Sequence, residues 1–228
     1  MARSRNKNFT KKVQKIVKKM AETKVKDYSF TEFPIRSDMN YPLVQDLVQI
    51  PQNGESDGRI GNQIFLSGIK WRLLFHNRNN PNATPSTLVK DIWVRMVILQ
   101  QMNTTDLTVL DKFFRQGSTA IDFDTATEQE KFFLPVDQTI RKTLYQTTFR
   151  LGSSNSTYTQ NQLNNKILKK YRSINKKIDF ENSNVSNSAA NKLYCIIWCG
   201  NNDLDAVLPN NAGYMEVSGL FSTYYKDF

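Results

Sequence analysis

An antiparallel, all-β sandwich of about eight strands, preceded by a basic and partly helical arm, is the fold the sequence predicts. Three observations predict it. Apolar residues recur in short runs with the two-residue period of strands. Polar segments rich in Asn, Ser, Thr and Gly separate those runs. Nearly all of the net charge of +10 falls in the first 26 residues. Length agrees, because 228 residues suit one such domain plus an appendage. A chain of that size buries roughly 70% of its unfolded surface. Fourteen Phe, nine Tyr and three Trp supply large side chains for the core.

The arm comes first. Residues 1–26 hold ten basic side chains (Arg3, Arg5, Lys7, Lys11, Lys12, Lys15, Lys18, Lys19, Lys24 and Lys26) and one acid, Glu22. Residues 27–228 hold 21 basic and 20 acidic ones, which leaves that body almost neutral. A block of like charge repels itself and stays extended until a counter-charge arrives. Val13, Ile16, Val17 and Met20 nevertheless fall at i, i+3, i+4 and i+7, an apolar stripe on a short helix that Thr10 is placed to cap. Three partners compete for such an arm. Lys and Arg displace counterions from the phosphates of nucleic acid without reading sequence. Basic amphipathic helices also lie on anionic lipid, but those favour Trp, Phe or Leu where this stripe is short and aliphatic. A solubilising or nuclear-import tail is the third reading. The charge asymmetry favours nucleic acid, bound nonspecifically.

The body follows as strands. Residues 27–36 read as a short leading strand, with Pro34 suited to an edge or bulge. Residues 45–62 read as a loop. Residues 63–77 form a long strand that places Phe65, Ile69, Trp71, Leu73 and Phe75 on one face. Residues 88–100 are apolar on both faces and so central. Residues 107–115 have a helical pattern, and 131–149 give one or two strands interrupted near Pro135. Three more strands are expected over 166–180, 193–200 and 214–225. Helices do not alternate with the strands, which argues against a βαβ architecture. A Greek-key sandwich fits best, and the jelly roll belongs to that class.

No constellation in the sequence suits catalysis. Glycine-rich phosphate loops and the Gly-x-Ser-x-Gly elbow are absent, and the single histidine, His76, rules out most paired-histidine metal sites. Asp122 with Asp124, and Asp203 with Asp205, read as turn residues rather than cation ligands. Cys195 and Cys199 lie four residues apart on one predicted strand, ~13 Å and too far for a disulfide, so buried thiols are expected. No run is long and apolar enough to span a bilayer, and no signal peptide opens the chain, so a nucleocytoplasmic location is expected. The five Asn-x-Ser/Thr matches therefore carry little weight. A second basic cluster, Lys166, Lys169, Lys170, Arg172, Lys176 and Lys177, surrounds Tyr171. It suits phosphates with the tyrosine stacked on a base, or a solvated face that blunts a sheet edge. The balanced charge of the body favours the edge.

These segments together resemble a family. KKVQKIVKKMAETKVKDYSF is similar to the short basic helix and leading strand of the capsid proteins of satellite tobacco necrosis virus and of circular single-stranded DNA (CRESS-DNA) viruses. DGRIGNQIFLSGIKWRLLFHN (57–77), with Arg59 and Gly61, resembles the loop entering their long strand B, and DIWVRMVILQQ (91–101) their strand C. Residues 109–140 resemble the helix, loop and strand that follow, and STYYKDF (222–228) their last strand. The likeness is diffuse but runs nearly end to end, and the order of the segments is its specific part. It implies a basic arm over 1–26 and a single jelly-roll shell domain over 27–228. It further implies a small icosahedral T=1 shell of identical subunits around a single-stranded DNA or RNA genome, found in the virion and in the host nucleus or cytoplasm during assembly. A host receptor is implied; stable membrane insertion is not. No cofactor is required, though calcium between subunits is possible through Asp227; at the other expected ligand position Lys26 stands, with Asp27 beside it. Phe221, Tyr224, Tyr225 and Phe228 are candidates for the subunit interface or, equally, for the core. A strand-binding protein that forms no shell shares the arm and is the alternative.

Overall fold

The computed structural model describes residues 22–36, 42–53, 57–78, 91–102, 108–152, 164–180, 192–201 and 214–227. The elements in chain order are β1 (Thr23–Arg36), β2 (Leu43–Asp46), β3 (Gln63–Arg78), β4 (Ile92–Gln101), β5 (Phe114–Gln116), β6 (Thr119–Ile121), helix α1 (Glu128–Phe133), β7 (Arg141–Leu151), β8 (Asn165–Asp179), β9 (Leu193–Asn201) and β10 (Tyr214–Asp227). Two four-stranded antiparallel sheets result, ordered β1-β10-β3-β8 and β2-β9-β4-β7, with β5 and β6 as a separate hairpin. Every step between consecutive strands of the large sheets crosses from one to the other, except β4 to β7. That alternation is a jelly roll. The predicted arm helix lies outside the described residues.

Four expectations change. The strand compared with strand B is the third in the roll, and that compared with strand C is the fourth, because β1 and β2 precede them. Strand β2 lies partly inside the region read as a loop; four residues are too few to show a period, and their pairing with Tyr194–Ile197 of β9 creates the strand. In β3, Ile69, Trp71, Leu73 and Phe75 do face inward and are at most 1% exposed. Phe65 does not join them, because a bulge between Leu66 and Gly68 shifts the alternation and puts Ile64 and Leu66 inside instead. Lastly, 109–112 are turns rather than helix, with Lys112 at φ 48°. The helix forms at Glu128–Phe133, where Thr127 and Glu130 complete a capping box.

Two apolar clusters hold these layers. The main core lies between the sheets and joins Trp71, Phe75, Met96, Ile98, Phe149, Ile197, Phe221 and Tyr225 among others. The second lies outside the β2-β9-β4-β7 sheet. There Val97, Leu99, Ile196 and Trp198 meet Phe113, Phe114, Phe123 and Phe132 from the β4–β7 connection. That connection joins neighbours in one sheet, so it runs over the sheet instead of crossing the sandwich. Trp198 has four Phe rings with centroids 5.3–6.3 Å away. Cys195 and Cys199 are buried thiols outside any disulfide, as expected, and burial pushes the Cys195 thiol well up.

Asp137 ties β5 to the turn before β7. Its carboxylate accepts the Thr139 N–H at 2.8 Å and hydroxyl at 2.7 Å, with Arg115 Nη1 at 3.4 Å. Burial pushes its carboxyl upward, but these donors outweigh burial and hold it below the usual carboxylate range. A lowered folded value gives stability that is complete above the unfolded value and disappears as pH falls through the folded one. Asp137→Asn is therefore expected to cost about 1–2 kcal/mol at pH 7. The deficit should shrink as urea midpoints are measured toward pH 3; one that stayed constant with pH would assign the effect to shape rather than charge.

Candidate nucleic-acid interface

Of the cations assigned to the arm, Arg3, Arg5, Lys7, Lys11, Lys12, Lys15, Lys18 and Lys19 lie outside the described residues. Lys24 and Lys26 belong to β1 and point to the inner side of the sandwich end. Lys24 Nζ donates to Gly58 O at 2.8 Å and pairs with Asp227 at 2.8 Å; Lys26 pairs with Asp57 at 2.5 Å. That hydrogen bond from Lys26 holds the Asp57 carboxyl below its ordinary range. Both lysines thus have carboxylate partners, and they fix the root of the arm against the 57–62 loop and the end of β10. The eight remaining basic residues of 1–21 have no acid among them in sequence.

The loop itself is built on Arg59, which is fully buried. Its guanidinium donates to Ile50 O, Gly61 O, Gln52 Oε1 and Asn62 Oδ1 and sits 4.1 Å from the Phe180 ring centroid. Arg59 is therefore an internal clamp, with its donors directed at the loop. Asp227, the calcium candidate, receives Lys24 and the Ile60 N–H on Oδ2, while its buried Oδ1 has no partner. Among the described residues no three His, Cys, Asp or Glu side chains gather as a metal site. A carboxylate already neutralised by an ammonium does not suit calcium, which wants six to eight oxygens.

The second basic cluster divides by strand parity, and β8 is a sheet edge. Lys166 lies 4.4 Å from the Phe149 ring centroid, Lys170 lies 4.3 Å from that of Tyr145, and Lys176 donates to Gln100 Oε1 at 2.5 Å. These three reach from the edge of one sheet to the other and close the side of the sandwich with their apolar stems. Lys177 pairs with Asp179 at 3.3 Å. Lys169 and Tyr171 stand on the opposite, outer face. There the register sets Lys169 opposite Arg72 and Tyr171 opposite Lys70, both from β3. Sequence reading missed Lys70 and Arg72. They flank Trp71, so the alternation alone places them outward, but only the register shows what they face.

Of the C-terminal aromatics, Phe221 and Tyr225 are fully buried. Tyr224 turns outward and meets Tyr171 edge-on, with centroids 6.1 Å apart. Phe228 lies outside the described residues. Asp122 accepts the Lys112 N–H at 2.6 Å, a turn role, and Asp203 and Asp205 are not among the described residues. Among those residues no helix is long and apolar enough to cross a membrane.

No family model and no curated protein matches the chain. Solved viral structures resemble it weakly. A chain of the infectious bursal disease virus Gx strain matches at 8% identity and TM-score 0.36, over 90% of this chain and 32% of that one. VP2 of the infectious bursal disease virus subviral particle matches at 10% and 0.21, over 90% and 30%. A 60-mer BFDV capsid protein matches at 14% and 0.24, over 90% and 93%. This chain spans about a third of the bursal disease virus chains it matches. At these identities and scores the likeness assigns neither family nor function.

Proposed function

We propose that this chain is a non-enzymatic viral capsid subunit that assembles with copies of itself into a small icosahedral shell. Its basic N-terminal arm packages a single-stranded genome. One observation carries the reading: a jelly roll of nearly balanced charge is joined, at a strand start pinned by Lys24–Asp227, to a segment whose sequence holds eight cations and no acid. Counterion release by such cations needs no fixed geometry, so an extended arm serves as well as a folded one. A closed shell multiplies it, because many weak arms on one polymer act at high effective concentration. The likeness in sequence of KKVQKIVKKMAETKVKDYSF to the arm and leading strand of satellite and CRESS-DNA virus capsids supports the same role, with the virion as its place.

Negative-stain microscopy of the purified full chain, with its 260/280 nm absorbance ratio, tests this. Uniform spherical particles holding nuclease-resistant nucleic acid are expected. Monomers or small oligomers that bind single strands in a salt-dependent way would replace it with the non-assembling binding protein. The half-exposed Tyr171 among outward cations is the observation that favours that second reading.

A further inference from the structure

We propose that the outer face of the β1-β10-β3-β8 sheet, centred on Lys70, Arg72, Lys169 and Tyr171, is a second binding site for single-stranded nucleic acid, separate from the arm. The choice of polyanion rests on the packaging reading; the site itself rests on four observations.

The first is which face is open. Apolar residues of the β4–β7 connection cover the outside of β9 and β4. Among the described residues nothing comparable lies over the outside of the other sheet.

The second is charge. Arg72 and Lys169 are directly opposite across β3 and β8. Side chains so placed have Cβ atoms about 5 Å apart, and like charges there repel. Lys24, Lys26, Lys131 and Lys177 each have a carboxylate, and Lys166, Lys170 and Lys176 each meet a ring or an amide. Among the described residues Lys70, Arg72 and Lys169 have none. The carboxylates of the described residues leave this repulsion in place, and phosphates remove it.

The third is the ring. Tyr171 is 52% exposed and lies across Gly68 of β3, where an added Cβ would come 2.4 Å from its hydroxyl. The bare backbone makes room for the ring, and Tyr224 braces it from the side. A tyrosine laid on a sheet with an open side and cations around it is a stacking platform for an unpaired base. Beyond the Arg72–Lys169 row, Leu74 and Ile167 are paired and exposed, 39% and 58%, an apolar ledge on the same face. Duplex bases are already stacked on each other, so the ring selects single strands.

The fourth is position. The arm leaves the same sheet at Thr23, opposite Lys226. Three strand spacings and four residues of rise separate that point from Tyr171, about 20 Å. A strand held near the root of the arm is thus within reach of the tyrosine.

The test uses the full chain. Oligothymidylate is photocrosslinked to it and the adducts are mapped by mass spectrometry, with an adduct expected on the peptide holding Tyr171. Replacing Lys70, Arg72 and Lys169 together by Ser should flatten the salt dependence of binding by about 2 in log K against log salt, at ~0.7 per phosphate contact. Tyr171→Ala should weaken binding roughly tenfold and Tyr171→Phe should not, since stacking needs the ring alone. Crosslinks confined to residues 1–26 with an unchanged slope would overturn the proposal. Microscopy of the same preparations separates the two readings. Genome-filled shells with a silent face sink this site only; small oligomers holding the strand at Tyr171 sink the capsid reading and keep the site.

Discussion

Removal of residues 1–22 is expected to abolish packaged nucleic acid while leaving the jelly roll folded. Strand β1 starts at Thr23, so the cut should fall there and not after residue 26, which would remove Lys24 and Lys26 and their ties to Asp227 and Asp57. The deleted segment holds eight cations. If each neutralises one phosphate of a single strand, binding loses about 5–6 in the slope of log K against log salt, leaving the ~2 assigned to the sheet face. Between 50 and 200 mM salt a slope change of that size is worth about three orders of magnitude in affinity. The truncated chain should keep the circular dichroism and urea midpoint of its parent. Particles of it should show the absorbance ratio of protein alone. Normal nucleic-acid content would take the packaging role away from the arm.

How much of this was legible in the sequence follows from which forces are local. Strands β3, β4, β9 and β10 announce themselves because one or both of their faces are apolar with the period of a strand. The bulge at Leu66–Gly68 does not, since one additional residue leaves composition unchanged while inverting every side chain beyond it. The pattern at 107–115 suggested a helix because Val109 and Phe113 are four apart. Those residues are instead drawn separately into the aromatic cluster around Trp198, and tertiary packing outweighs the local period. The candidate site shows the same division. The cations of the arm are visible as charge. The fate of Lys24 depends on Asp227 at the far end of the chain, and the Arg72–Lys169 juxtaposition depends on sheet register.

Arg95→Met is expected to cost about 3 kcal/mol, from a total that for a domain is only ~5–15. Arg95 projects from β4 into the second cluster and is 1% exposed. Its Nη1 donates to Lys131 O at 2.7 Å and Leu134 O at 2.9 Å, carbonyls at the end of α1 with no partner further along the helix. Burial lowers its pKa to about 10, so it stays cationic at neutral pH and its bonds are charge-assisted. Methionine fills much of the volume but leaves two buried acceptors unpaired, each worth about 1–3 kcal/mol. Arg95→Lys keeps the charge but loses the planar guanidinium that lies 5.4 Å from the Trp198 ring centroid, and should fall between. Hydrogen exchange should show residues 128–137 opening first, with β3 still protected, because the sandwich core does not run through Arg95. That order matters for function. Loosening the β4–β7 connection bares Val97, Leu99, Ile196 and Trp198, so the variant should lose regular shells while its arm still binds oligonucleotide. A variant within 0.5 kcal/mol of its parent in urea, with unchanged exchange, would mean that Arg95 does not hold the cover on this sheet.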